Sequence, residues 1–155
     1  MLNDNRVFAN LNICKKFIQE TGTIENLTDE LEVKDDLSAD FCIYIQTKMR
    51  CEDKENSFVC ILYLENDEKL KCLDQFNVPH DDDLGSANIF QYNRIYEMEK
   101  FIFPGVGRYD LKLFAIKKKE YEEFGAKINK ENKVELFNYL SDNDYLINVI
   151  WFTVK

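Results

Sequence analysis

A chain of 155 residues that is 45% hydrophobic and 14% aromatic, with 5 Gly and 2 Pro, can bury a core. That excludes a disordered or low-complexity protein. Twenty Lys and Arg against 29 Asp and Glu leave a net charge of −9, the wrong sign for affinity built on nucleic-acid phosphates. The longest apolar run, Leu146 to Val154, contains Asn148 and falls well short of the ~20 residues a membrane helix needs.

Met1 to Arg6 shows no basic start followed by a long apolar stretch, so no secretory signal is expected. The five cysteines, at 14, 42, 51, 60 and 72, follow neither a disulfide framework nor a zinc spacing. Cys42, Cys60 and Cys72 sit in apolar runs, where a free thiol acts as a small buried hydrophobe. A cytoplasmic chain is the expectation.

Period-two alternation recurs along the chain and predicts strands. Val7, Ala9, Leu11 and Ile13 alternate with polar Asn10 and Asn12 as in a half-buried strand. Residues 25–40 hold seven acids against Lys34, and Leu27, Leu31 and Val33 fit either a strand or a loose turn. Phe41 to Ile45 is apolar on both faces and reads as a central strand, as does Ser57 to Leu64. Glu65-Asn66-Asp67-Glu68 supplies turn chemistry, and Leu70 to Val78 follows as the second arm of a hairpin.

His80 to Ser86 is a polar loop, and Ile89 to Met98 resumes an extended pattern. Pro104-Gly105-Val106-Gly107 breaks the chain. In the strand that follows, Tyr109, Leu111, Leu113 and Ala115 share one face while Arg108, Asp110 and Lys112 share the other. Between about 117 and 144 the texture changes. The spacings Tyr121/Phe124 and Val134/Phe137/Leu140 predict one or two short amphipathic helices. Leu146 to Val154 is a strongly hydrophobic last strand, expected between neighbours and not on an edge.

About seven strands without regular helix alternation predict a mainly β fold. The form expected is an antiparallel sandwich with a short helical insertion (about 117–144) before the last strand. All of 1–155 is expected to form one domain.

The run Pro104-Gly105-Val106-Gly107-Arg108-Tyr109-Asp110-Leu111-Lys112-Leu113 resembles the entry to a late strand in many immunoglobulin-like sandwiches. There Pro and Gly turn the chain between sheets, and the Tyr ring fills the corner while its hydroxyl bonds the backbone. The wider order is similar to an uncharacterised family of small bacterial and phage immunoglobulin-like β-sandwich proteins. The order comprises an early strand, Phe41 to Ile45, the Phe58 to Leu64 hairpin, a long strand before Pro104-Gly105, and the hydrophobic last strand. The resemblance covers 7–116 and 145–155, while 117–144 departs from it. It implies the fold and transfers no catalytic residue.

The sequence itself names no reaction. His80-Asp81-Asp82-Asp83 offers metal-binding residue types, but consecutive side chains diverge and no EF-hand spacing is present. Ser141-Asp142-Asn143-Asp144 is judged the same way. No nucleophile elbow accompanies the single histidine, and Gly105-Val106-Gly107 lacks the rest of a phosphate-binding fingerprint. No catalytic residue, metal site or cofactor is therefore assigned.

Binding is better supported. On a strand from Ile89 to Met98, the residues Phe90, Tyr92, Arg94, Tyr96 and Met98 share a face, a composition that interface cores favour. Core packing is the competing use of those rings, and Arg94 argues against it, because a buried guanidinium needs a partner. The expectation is a non-enzymatic protein-binding or self-associating sandwich, with a protein partner, a second copy included, and neither nucleic acid nor membrane. Two alternatives stand behind it. One is an acidic nucleic-acid mimic that inhibits a DNA-binding protein, of phage counter-defence type, motivated by the net charge of −9 on a small chain. The other is a carboxylate- or metal-dependent enzyme.

Overall fold

Among the described residues, the alternating segments form nine strands in two sheets, and the segment of different texture forms two helices. The computed structural model describes residues 7–18, 20–50, 57–67, 69–78, 89–127 and 133–155, with the backbone alone at 49–50, 89–90, 125–127 and 133. The strands are β1 (Val7–Ile18), β2 (Thr23–Leu27), β3 (Glu30–Leu31), β4 (Ser38–Arg50), β5 (Phe58–Glu65), β6 (Leu70–Val78), β7 (Ile89–Ile102), β8 (Gly107–Lys117) and β9 (Leu146–Val154). Helices α1 (Lys118–Lys127) and α2 (Lys133–Asp142) lie between β8 and β9. Among the described residues no helix is long and apolar enough to cross a membrane.

One sheet runs β2-β1-β4-β7 and the other β3-β9-β8-β5-β6. A shared cluster joins Leu11, Ile13, Ile43 and Ile45 of the first sheet to Phe58, Leu62, Leu111 and Phe152 of the second. All pairs are antiparallel except β3 with β9, which is parallel and limited to Glu30↔Thr153 and Leu31↔Val154. That corrects the expectation of a purely antiparallel fold. The count of strands is higher than expected because the acidic stretch 25–40 divides into the end of β2, the two-residue β3, a turn and the start of β4.

Strand β5 is buried along almost its whole length because it is covered on both faces. Cys60, Leu62 and Leu64 meet the opposite sheet, while Val59, Ile61 and Tyr63 meet Phe124, Leu136 and Leu140 of the helices. This second cluster makes a third layer. It also explains why β8 turns apolar on both faces at Phe114 and Ile116, just where the helices cover it. On α2 the inward residues are Leu136 and Leu140, with Phe137 partly buried beside them. Val134 is exposed, so the expected Val134/Phe137/Leu140 face is rotated to begin at Leu136.

The corner before β8 forms as its residues dictate. The Tyr109 hydroxyl donates to the Gly105 carbonyl at 2.8 Å and accepts from the Gly105 N–H at 3.2 Å. Its ring packs on Phe103 and Phe152. Gly107 adopts φ 126°, a conformation that suits a residue lacking Cβ.

Candidate functional site

Strand β7 turns its alternating aromatic face toward the opposite sheet. Tyr92, Tyr96 and Met98 are partly buried against the shared core, and the side chain of Phe90 lies outside the described residues. Arg94 is on the same face, and its partner comes from β6. Its Nη2 donates to Asp74 Oδ2 at 2.8 Å, its Nε to the Tyr96 hydroxyl at 2.7 Å and its Nη1 to the Tyr92 hydroxyl at 3.1 Å. The Tyr96 hydroxyl donates in turn to Asp74. The guanidinium also lies 4.8 Å from the Phe76 ring centre and 5.2 Å from that of Tyr96.

Burial works against the charged guanidinium, but the two tyrosine hydroxyls and the Asp74 charge outweigh it and hold Arg94 above its ordinary pKa. Burial, then the bond to Asp74, raises the Tyr96 phenol. With Arg94 and Asp74 about 30% and 27% exposed, this network clamps two sheet edges, β6 and β7, and leaves no free acid or base. Its donors are already committed to neighbours.

An open face lies on the outside of β8 and β9. Because Ile150, Phe152 and Val154 point into or pack against the core, Val149 and Trp151 point away from it and are exposed, Trp151 by 55%. The register places Asp110 opposite Trp151 and Lys112 opposite Val149, with Glu65 opposite Asp110 on the far side. The Arg108 guanidinium lies 5.2 Å over the Trp151 ring and bonds Asp110 at 3.2 Å. Lys112 pairs with Glu65. On β8 the helices pack over Phe114 and Ile116 and, through Phe137, reach Lys112, whose Nζ lies 5.3 Å from that ring centre, while Arg108 and Trp151 stay exposed.

Beside Trp151 a groove of about 410 Å³ opens between β1, β2 and β9, lined by Leu11, Asn12, Leu27, Asp29, Ile150 and Trp151. Leu27 is itself exposed. The groove exists because β3 covers only the last two residues of β9, so β9 sits between neighbours at one end and faces β1 along the rest. Asn148, the polar break in the last apolar run, closes that seam by donating from Nδ2 to the Ala9 carbonyl at 2.6 Å.

This surface escaped the reading of the sequence because an apolar strand gives no sign of which face its neighbours leave bare. The available signal was the polar face Arg108/Asp110/Lys112 of β8. A strand paired with β8 carries its own outward residues onto that same solvent face.

The loop His80 to Asp83 lies outside the described residues. Among those described, no group of three or more His, Cys, Asp or Glu is placed to hold a metal ion. Glu30, Glu65, Asp74 and Asp110 are each paired with a base, Lys155, Lys112, Arg94 and Arg108 respectively. No family model, no curated protein and no solved structure matches the chain.

Proposed function

We propose that this protein is a non-enzymatic, immunoglobulin-like β-sandwich that works by associating with a second copy of itself through the outer face of β8 and β9. The observation that carries the reading is the exposed Trp151 stacked under Arg108 and flanked by Val149. Trp and Arg are the residues in which interface energy concentrates, and a solvent-facing indole on a regular strand contributes nothing to this core. Charge favours a copy of the same chain as the occupant. The patch carries both signs, Arg108 and Lys112 with Asp110 and Glu65, so it complements itself across a two-fold axis while the rest of an acidic molecule repels.

The immunoglobulin-like assignment is supported by strand order. Strands β1, β4 and β7 correspond in sequence and adjacency to A, B and E of that fold, and β9, β8, β5 and β6 to G, F, C and C′. The Tyr109 corner falls at the start of the F-like strand, its usual place.

The exposed patch lies on two strands, β8 and β9, and taking about six residues of each it covers on the order of 200 Å² at ordinary strand spacings. That is below the ~800 Å² per partner of a standard interface, so the association is weak and transient. Sedimentation velocity over a wide concentration range tests this. The wild type and a control at another exposed apolar site, Val106→Ser, should show a rising weight-average coefficient, and Trp151→Ala should remain monomeric. A wild type that is monomeric at every concentration would refute the reading.

A further inference from the structure

We infer that Cys14 and Cys42 are a built disulfide site, two thiols that a low-molecular-weight disulfide converts to a reversible cross-strand bond between β1 and β4. Spacing along the chain gives no sign of this, but the register sets the two residues directly opposite each other. Directly opposed residues of an antiparallel pair have Cα atoms ~4.5 or ~5.5 Å apart, depending on the hydrogen-bonding pattern. Both values lie inside the ~4.4–6.8 Å range that a disulfide spans. Their thiols are close enough to act on each other's ionisation, Cys42 raising Cys14 and Cys14 favouring the charged form of Cys42. Both are free thiols, and neither belongs to the face proposed for self-association.

The two residues are both buried but differ in surroundings, and that sets the order of events. Cys14 has no exposed surface and Cys42 keeps 6%, and Cys42 lines an open groove of about 460 Å³ together with Lys15, Lys16, Asp40, Glu97 and Lys100. Burial raises both thiols, Cys14 up to about 11; at Cys42 the neighbouring Cys14 works against that rise while the Glu97 charge adds to it. Cys42 is thus the attacking group. Its thiolate displaces one thiolate from the reagent and forms a mixed disulfide. The Cys14 sulfur then attacks the Cys42 sulfur, loses its proton, and releases the second thiolate. The protein gives up two electrons and two protons, and the reagent leaves as two thiols.

The test uses the folded, full-length protein and glutathione disulfide as the probe, followed by alkylation of remaining thiols and peptide mapping without reduction. The expected product joins the Cys14 and Cys42 peptides, leaves Cys60 alkylated only after unfolding, and reverts with a dithiol. In Cys14→Ala the same treatment should leave a stable glutathione adduct on Cys42, with folding verified by near-ultraviolet circular dichroism. A wild type whose Cys42 stays free, keeps the adduct, or joins any cysteine other than Cys14 would overturn the inference. Mapping of the wild type alone decides this, should the variant fail to fold.

Discussion

Removing the carboxylate of Asp74 tests whether the two sheets are clamped at their β6–β7 edge. Asp74→Ala leaves Arg94 without its counter-charge and Tyr96 without its acceptor. Breaking a fully buried pair costs ~3–5 kcal/mol and an exposed one ~0–1 kcal/mol. At roughly a third exposure for both partners, solvent screens part of the loss, and we expect about 2 kcal/mol. For a chain of this length that is a fall of about 4–8 °C in Tm. Arg94→Met keeps the apolar stem over Phe76 and removes the charge, so the double variant should lose less than the sum of the singles. Urea denaturation of the four proteins, followed by circular dichroism, gives the coupling energy, expected to be about 1–1.5 kcal/mol. A coupling below about 0.5 kcal/mol, the ordinary scatter of independent sites, would refute the clamp.

Other outcomes follow from the same packing. Tyr109→Phe removes both bonds to Gly105 and should cost about 1–2 kcal/mol by urea denaturation; no loss would mean the corner is held by the ring alone. Tyr63→Phe should be neutral or stabilising by up to about 1–3 kcal/mol, because the Tyr63 hydroxyl is buried with no hydrogen-bond partner among the described residues. A clear loss of stability would show that it has one. Burial holds the Cys60 thiol up at about 12 against an ordinary 9.0. The unfolded chain therefore releases that proton first as pH rises. Stability from this group is complete below about pH 9 and falls by about 1.4 kcal/mol per unit above it. Urea midpoints at about pH 8 and pH 10 should fall further for the wild type than for Cys60→Ala, and equal falls would contradict the assignment.

Much of the fold could be read from the sequence because its strands carry their neighbours' demands in their own pattern. The doubly apolar Ser57 to Leu64 could only be central, and β5 is covered by a sheet on one side and helices on the other. The Pro-Gly corner was legible because Tyr109 needs only local backbone to bond. Residues 25–40 were not, since a two-residue parallel contact with β9 is a tertiary event without a local signature. The aromatic face of β7 could be placed on one side of a strand, but sequence alone cannot say which side meets the second sheet. Arg94 marked that face as exceptional for the right reason, a guanidinium that needs a partner, while the partner, Asp74, lies on a different strand. Trp151 was hidden by the opposite problem, an apolar residue in an apolar strand whose outer side the helices stop short of covering.

The single tryptophan of the chain is also the centre of the proposed interface, so its own fluorescence reports on the claim without a label. Acrylamide quenching should be strong in dilute solution, where the indole is open to water, and should weaken steadily as protein concentration rises and a second copy covers it. Quenching that is already weak at the lowest concentration, or that stays unchanged across the series, would contradict the account.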